Sequence, residues 1–245
     1  MKDLDGYLEK MEKSILDKLF FTDKIDLCDF DLIVDFGCAD GTFLKNLCKI
    51  YPNKNCIGFD ISKEMIKKAK SNCNNNILFT QDLNEFNKAL NNKKYAIVFS
   101  SVLHELDAKS FEVALNLMKN SGAVIIRDMF FDKTKNDNIK HLSIIKQKDK
   151  YVDEFENKYG KIDNLLNLYH YFLKYTYTNN WDTELNENYF GIDYEKILNA
   201  LKNSNFDVIY DEKFTLLYKK QEIFDNFGYN LDLPTHRKLI FKKID

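Results

Sequence analysis

Five short, mostly apolar runs alternate with helical segments through the first half of the chain, and this rhythm restricts the fold more than any other feature. The runs are DLIVDF (31–36), CIGF (56–59), NILFT (76–80), YAIVF (95–99) and AVIIR (123–127). They do not alternate apolar with polar residues, so both of their faces need cover, as in the strands of a parallel sheet. The segments between them have helical character. Thr42–Ile50 follows a glycine-rich break, Ser62 is a good N-cap with Glu64 in the first turn behind it, and Lys109–Asn120 precedes the fifth run. Strand–helix–strand order at this spacing implies right-handed crossovers and a doubly wound α/β sheet.

After Asp128 the rhythm changes. Residues 132–180 are rich in Tyr and Lys and contain no strand pattern, which predicts a helical insertion or cap. The α/β pattern resumes with a helix in Gly191–Ser204 and a sixth strand at Phe206–Tyr210. A helical or irregular stretch follows over 214–228, and the last strand is Lys238–Lys242. At the other end, Leu4, Leu8, Met11, Ile15 and Leu19 recur at helical spacing and predict an amphipathic helix over 3–20. Its charges read as a solvated face, and residues 1–25 as a lid. A chain of 245 residues lies within the range of one α/β domain, so a single domain over 1–245 is expected.

Charge and cysteine usage exclude several classes. The formal net charge of −2 does not supply the broad basic face that general phosphate-backbone binding requires. Cys28, Cys38, Cys48, Cys56 and Cys73 include no C-x-x-C pair. The odd count and the charged N-terminal stretch, which has no apolar signal region, predict reduced thiols in the cytoplasm. No run approaches the ~20 apolar residues of a membrane helix. The cysteines and four histidines lack ligand spacing, so no metal site is expected.

The chemistry concentrates in VDFGCADGTF (34–43), between the first strand and its helix, where open α/β sheets bind ligands. Glycines there let a ligand approach the backbone. Asp60, at the end of the second strand, is placed to accept hydrogen bonds from both hydroxyls of a ribose. Gly37 and Gly41 are four apart with no third glycine, which disfavours the G-x-G-x-x-G pattern of nicotinamide binders.

These motifs, in this order, resemble the class I S-adenosylmethionine-dependent methyltransferases over residues 30–130, and more loosely over the last fifty. The resemblance implies a mostly parallel seven-stranded sheet with an antiparallel C-terminal strand, and S-adenosyl-L-methionine (SAM) as cofactor. It makes Asp35 the acidic residue of the first motif, and Gly37 and Gly41 its outer glycines. Cys38 lies between them, and Ala39 stands where a middle glycine is common. Asp60 and Ile61 fall in the ribose-binding motif, and Asp82 and Leu83 where the family contacts adenine. Ser100 and Ser101 open the segment SSVLHEL, which faces the methyl donor.

Acceptor chemistry rests on fewer residues. His104, just past the fourth strand, is of the type that takes a proton near neutral pH, against the plainer reading that it caps a helix or binds an aspartate. Arg127 is placed to clamp an anionic group of the acceptor, or else to pair internally with Asp128. His236 is a weaker candidate, alternatively a turn residue. Tyr169, Tyr171, Tyr175, Tyr177 and Trp181 line an acceptor pocket or form the core of the insertion. Near-neutral charge and the aromatic insertion favour methyl transfer to an O or N atom of a small molecule. One rival is an RNA or tRNA methyltransferase, using Lys133, Lys135, Lys140, Lys146, Lys148 and Lys150, although Asp132, Asp137, Asp149, Asp153 and Glu154 interleave with them. The other is a non-catalytic SAM-binding regulatory subunit.

Overall fold

The computed structural model describes residues 14–73, 77–139, 145, 149–175, 181 and 187–244. Seven strands form one sheet: β1 Leu32–Phe36, β2 Asn55–Phe59, β3 Ile77–Thr80, β4 Tyr95–Ser100, β5 Ala123–Met129, β6 Phe206–Phe214 and β7 His236–Lys243. Their order is β3-β2-β1-β4-β5-β7-β6. The pairs β1–β2, β1–β4, β2–β3 and β4–β5 are parallel. Strand β7 runs the other way. At one end Phe130 N–H donates to Thr235 O just before β7, and at the other Lys243 N–H donates to Gly122 O just before β5. The same pattern, Thr235 to Phe214 and Ile244 to Asn205, sets β7 antiparallel to β6. The strand order reverses at β1 and β4, so the ends of these two strands open the crevice where a doubly wound sheet binds ligands.

The helices between the strands are α2 Thr42–Ile50, α3 Lys63–Asn72, α4 Leu83–Leu90 and α5 Ala108–Asn120, preceded by a short α1, Ile15–Lys18. Their starts follow from the sequence. The side chains of Ser62, Asp82 and Asp107 accept hydrogen bonds from backbone N–H groups of the turns they cap. Alternation along the strands divides the core. Ile33, Ala96, Val98, Ala123 and Ile125 face a cluster with Leu19 of the α1 segment and with Phe43, Leu44 and Leu47 of α2. The alternate residues Phe36, Phe59 and Phe99 form an aromatic group on the other face, where Phe86 of α4 packs against Phe36 and Phe59. The expected helix over 3–20 falls largely on residues 1–13, outside the described residues.

The chain divides into two compact units. The larger comprises Asp5–Asp128, Asp193–Asp211 and Lys238–Asp245, and includes α8, Tyr194–Lys202, packed on α5. The smaller comprises Met1–Leu4, Met129–Ile192 and Glu212–Arg237. It contains α6 Val152–Tyr159, α7 Leu165–Tyr175 and α9 Leu217–Phe227, so the expected insertion acquires a further helix from beyond residue 180. Its core is aromatic: Tyr169, Tyr171 and Trp181 are buried with Phe155, Phe172 and Phe227. Lys174 lies buried among these rings, its Nζ 4.1 Å from the Tyr189 ring centre and 4.9 Å from that of Tyr159. Among the described residues no helix is long and apolar enough to cross a membrane.

Candidate active site

The turn after β1 is built from left-handed backbone. Gly37, Ala39 and Gly41 have φ of +83°, +44° and +77°. At Gly37 the neighbours also forbid a side chain, because a Cβ there would lie 2.5 Å from Val102 Cγ2. Ala39 shows how the missing middle glycine is tolerated. Its left-handed backbone is held by its own N–H, which donates to Asp60 Oδ2 at 2.9 Å. The other oxygen of Asp60 accepts from Ser62 N–H at 2.8 Å. Asp60 therefore links the turn after β1 to the start of α3. Burial raises its carboxyl above the usual range, while these two hydrogen bonds pull it back down.

Asp35 is buried at the end of β1. Desolvation pushes its carboxyl up to about 7, with Lys18 opposing the shift and Asp60 adding to it. Asp35 shares its sheet face with Ile33, and so meets the segment that contains α1. The expectation that the N-terminal helix carries only a solvated charged face fails here. Lys18 is 8% exposed, and burial together with Arg127 pushes its amine down to about 8, against the pull of Asp35, Asp40 and Asp17. Among the described residues its Nζ has no hydrogen bond or ion pair. The signal in the sequence was its position, three residues after Ile15 and next to Leu19, on the apolar stripe itself. Asp40, also missed, is buried and accepts from the backbone and hydroxyl of Thr42.

The turn after β4 forms the other wall. Ser100 Oγ is buried and makes no hydrogen bond. Ser101 has φ of +58° and accepts from Arg127 Nη1 at 2.7 Å. Arg127 also binds Asp17 Oδ2 through Nε and Nη2, both at 2.8 Å, while Lys238 holds Asp17 Oδ1 at 2.6 Å. The expected internal partner of Arg127, Asp128, turns elsewhere, because consecutive residues of a strand point to opposite faces. Asp128 is fully buried. Its Oδ2 accepts from Val102 N–H at 3.0 Å and Leu103 N–H at 2.7 Å, and its Oδ1 lies 2.6 Å from His104 Nδ1. Two backbone donors on one oxygen favour the carboxylate, so the other oxygen receives the proton of Nδ1, while Nε2 lies 3.8 Å from Glu105 Oε1. Asp128 was legible only as a neighbour of Arg127, since its pairing crosses 24 residues.

Other candidates divide by place. Asp82 caps α4 with its carboxylate on Asn84 N–H, Leu83 is the first residue of that helix, and Ile61 stands 86% exposed beside Asp60. His236 opens β7 and is buried, with Nδ1 2.8 Å from Thr235 Oγ1; it is a strand residue, not a turn residue. Tyr169, Tyr171 and Trp181 belong to the core of the smaller unit, and Tyr175 is partly buried against it. Tyr177, Lys140, Lys146 and Lys148 lie outside the described residues.

Residues 33–122 match the family model described as a methyltransferase domain. This segment is similar to methyltransferase domains. No curated protein matches the sequence. Among solved structures, the chain resembles in fold a SAM-dependent methyltransferase from Archaeoglobus fulgidus, at 18% identity and a TM-score of 0.54, covering 95% of this chain and 94% of that one. PKMT2 from Rickettsia typhi in complex with AdoHcy gives 16% identity and 0.53, covering 89% of this chain but 49% of that one. An O-methyltransferase family protein from Burkholderia thailandensis gives 10% and 0.55, covering 98% and 59%. The order of the sheet, antiparallel β7 included, agrees with the fold of these structures.

Proposed function

We propose that the chain transfers a methyl group from SAM to an O or N atom of a small molecule, with His104 as the general base. The observation that carries this reading is the buried His104–Asp128 pair beside the turn after β4, at 2.6 Å. A methyl transfer to O or N releases a proton. An imidazole whose Nδ1–H is held by a carboxylate is oriented to accept it on Nε2.

The residues present suit the donor. Each oxygen of Asp60 already accepts one backbone N–H, and a carboxylate retains acceptor capacity beyond that for ribose hydroxyls. Ile61, Asp82 and Leu83 would flank the adenine. The turn from Gly37 to Gly41, with Cys38 and Ala39, would carry the backbone past the donor, and Ser100 Oγ supplies an unused polar group. Lys18, a buried cation that makes no ion pair among the described residues, would hold the donor's carboxylate, and Asp35 its ammonium group. When bound, SAM supplies an electrophilic sulfonium methyl group. The protein contributes position, exclusion of water and the base. Arg127, engaged by Asp17 and Ser101, secures α1 to the sheet instead of clamping the acceptor.

Small-molecule methylation is favoured by the net charge of −2 and by the absence of a wholly basic run in the Lys-containing segment. The test is incubation with SAM labelled on its methyl group and an extract separated into small-molecule, RNA and protein fractions. Label is expected in the small-molecule fraction and is lost with His104→Ala. Label confined to RNA overturns the acceptor class. Tight S-adenosylhomocysteine (SAH) binding with label in no fraction replaces the enzyme by a binding subunit.

A further inference from the structure

Two of the five cysteines meet across the contact between α2 and β2. Cys48, in the last turns of α2, is half-buried; Cys56, the second residue of β2, is buried. Their sulfurs are 3.4 Å apart. A disulfide is about 2.05 Å long, so closure needs an approach of little more than 1 Å. Among the described residues no other two thiols are hydrogen-bonded to each other, although Cys73 lies near enough to Cys48 to feel its charge. Cys38 lies against Ala39 O and Cys73 against Gly41 O. We propose that Cys48 and Cys56 are a redox modification site, forming a reversible intramolecular disulfide by exchange with a low-molecular-weight disulfide such as oxidised glutathione.

Exposure sets the order of events. The oxidant reaches Cys48, whose thiolate attacks one sulfur of the small disulfide; that bond breaks, a mixed disulfide forms at Cys48, and one small thiolate departs. The buried Cys56 gives up its proton and attacks the Cys48 sulfur, and a second small thiol leaves. In total two protein thiols lose two hydrogens, and one small disulfide becomes two thiols. The hydrogen bond between the pair supports these roles. It lowers the proton affinity of Cys48, the attacking group, and raises that of Cys56. The bond would fasten the helix that leaves the turn after β1 to the strand that ends beside Asp60.

The test equilibrates the native protein with oxidised glutathione, traps remaining thiols by alkylation at low pH, and maps tryptic peptides. Lys49 and Lys54 let trypsin separate the two cysteines. A Cys48–Cys56 cross-link, reversed by dithiothreitol, is expected in excess over any bond to Cys28 or Cys73. Cys56→Ser should arrest the reaction as glutathionylated Cys48, and Cys48→Ser should leave Cys56 unmodified. Circular dichroism checks that each variant folds, and the wild-type measurement stands without them. No cross-link in folded wild type, or links spread evenly over the other cysteines, overturns the proposal. Glutathionylation of Cys56 in the Cys48→Ser variant overturns the order of attack.

Discussion

Replacing Asp60 by Ala separates a donor site from a merely well-built turn. In the structure Asp60 does two things: it accepts the N–H groups of Ala39 and Ser62, and it keeps a carboxylate beside the turn after β1. Loss of a charged hydrogen-bond acceptor costs about 1.5–3 kcal/mol, so SAH should bind the variant roughly 10- to 150-fold more weakly. The two backbone N–H groups left behind are only partly buried, and water can reach them, so the added loss of folding stability should stay near ~1–2 kcal/mol. Calorimetric titration with SAH and denaturant unfolding measure the two effects separately. Asp60→Asn keeps one acceptor and should lose less affinity. 5′-Methylthioadenosine, which retains the ribose but lacks the amino acid, should lose the same factor as SAH on Asp60→Ala. Unchanged SAH affinity in a folded Asp60→Ala variant refutes the ribose role. A loss for SAH but not for methylthioadenosine refutes the assignment to the ribose.

Other expectations follow from the same geometry. Lys18→Met should weaken SAH but not methylthioadenosine in calorimetry, since only SAH carries the carboxylate. For wild type, SAH affinity should peak between about pH 7 and 8, where Asp35 is ionised and Lys18 still charged, and methylthioadenosine affinity should be flat. Stability of the donor-free protein should run the other way. The raised carboxyl of Asp35 withdraws stability as pH climbs from its ordinary 3.8 to about 7, and the lowered amine of Lys18 returns it from about 8 towards 10.5. Melting curves of Asp35→Asn against wild type should lose the acidic limb. Gly37→Ala should destabilise by about 2–5 kcal/mol, combining left-handed backbone strain with overpacking on Val102. Adding Val102→Ala should relieve only the second part in denaturant unfolding. His104→Ala and Asp128→Asn should each slow methyl transfer by ~10²–10⁴-fold while leaving SAH affinity unchanged, which radiolabel transfer and calorimetry together report.

The sequence by itself determined the parallel strands β1 to β5, the helices between them, the turn at 37–41 and the position of Asp60. Each of these is written in a few adjacent residues: an apolar run, a capping side chain, a glycine where the backbone turns left-handed. The resemblance added the direction of β7. Tertiary structure alone decided what the charges do. Asp17 and Lys18 read as a solvated helical face, yet folding buries Lys18 before Asp35 and turns Asp17 towards Arg127 and Lys238. Arg127 and Asp128 read as a pair, yet the strand sends one towards α1 and the other to His104. The aromatic stretch read more readily as core than as pocket lining, and Tyr169, Tyr171 and Trp181 pack into the core of the smaller unit. The physical reason is range. Backbone preference and periodicity act over a few residues, whereas the partner of a buried charge lies across the sheet, 110 residues away for Arg127 and Asp17 and further still for Lys238 and Asp17.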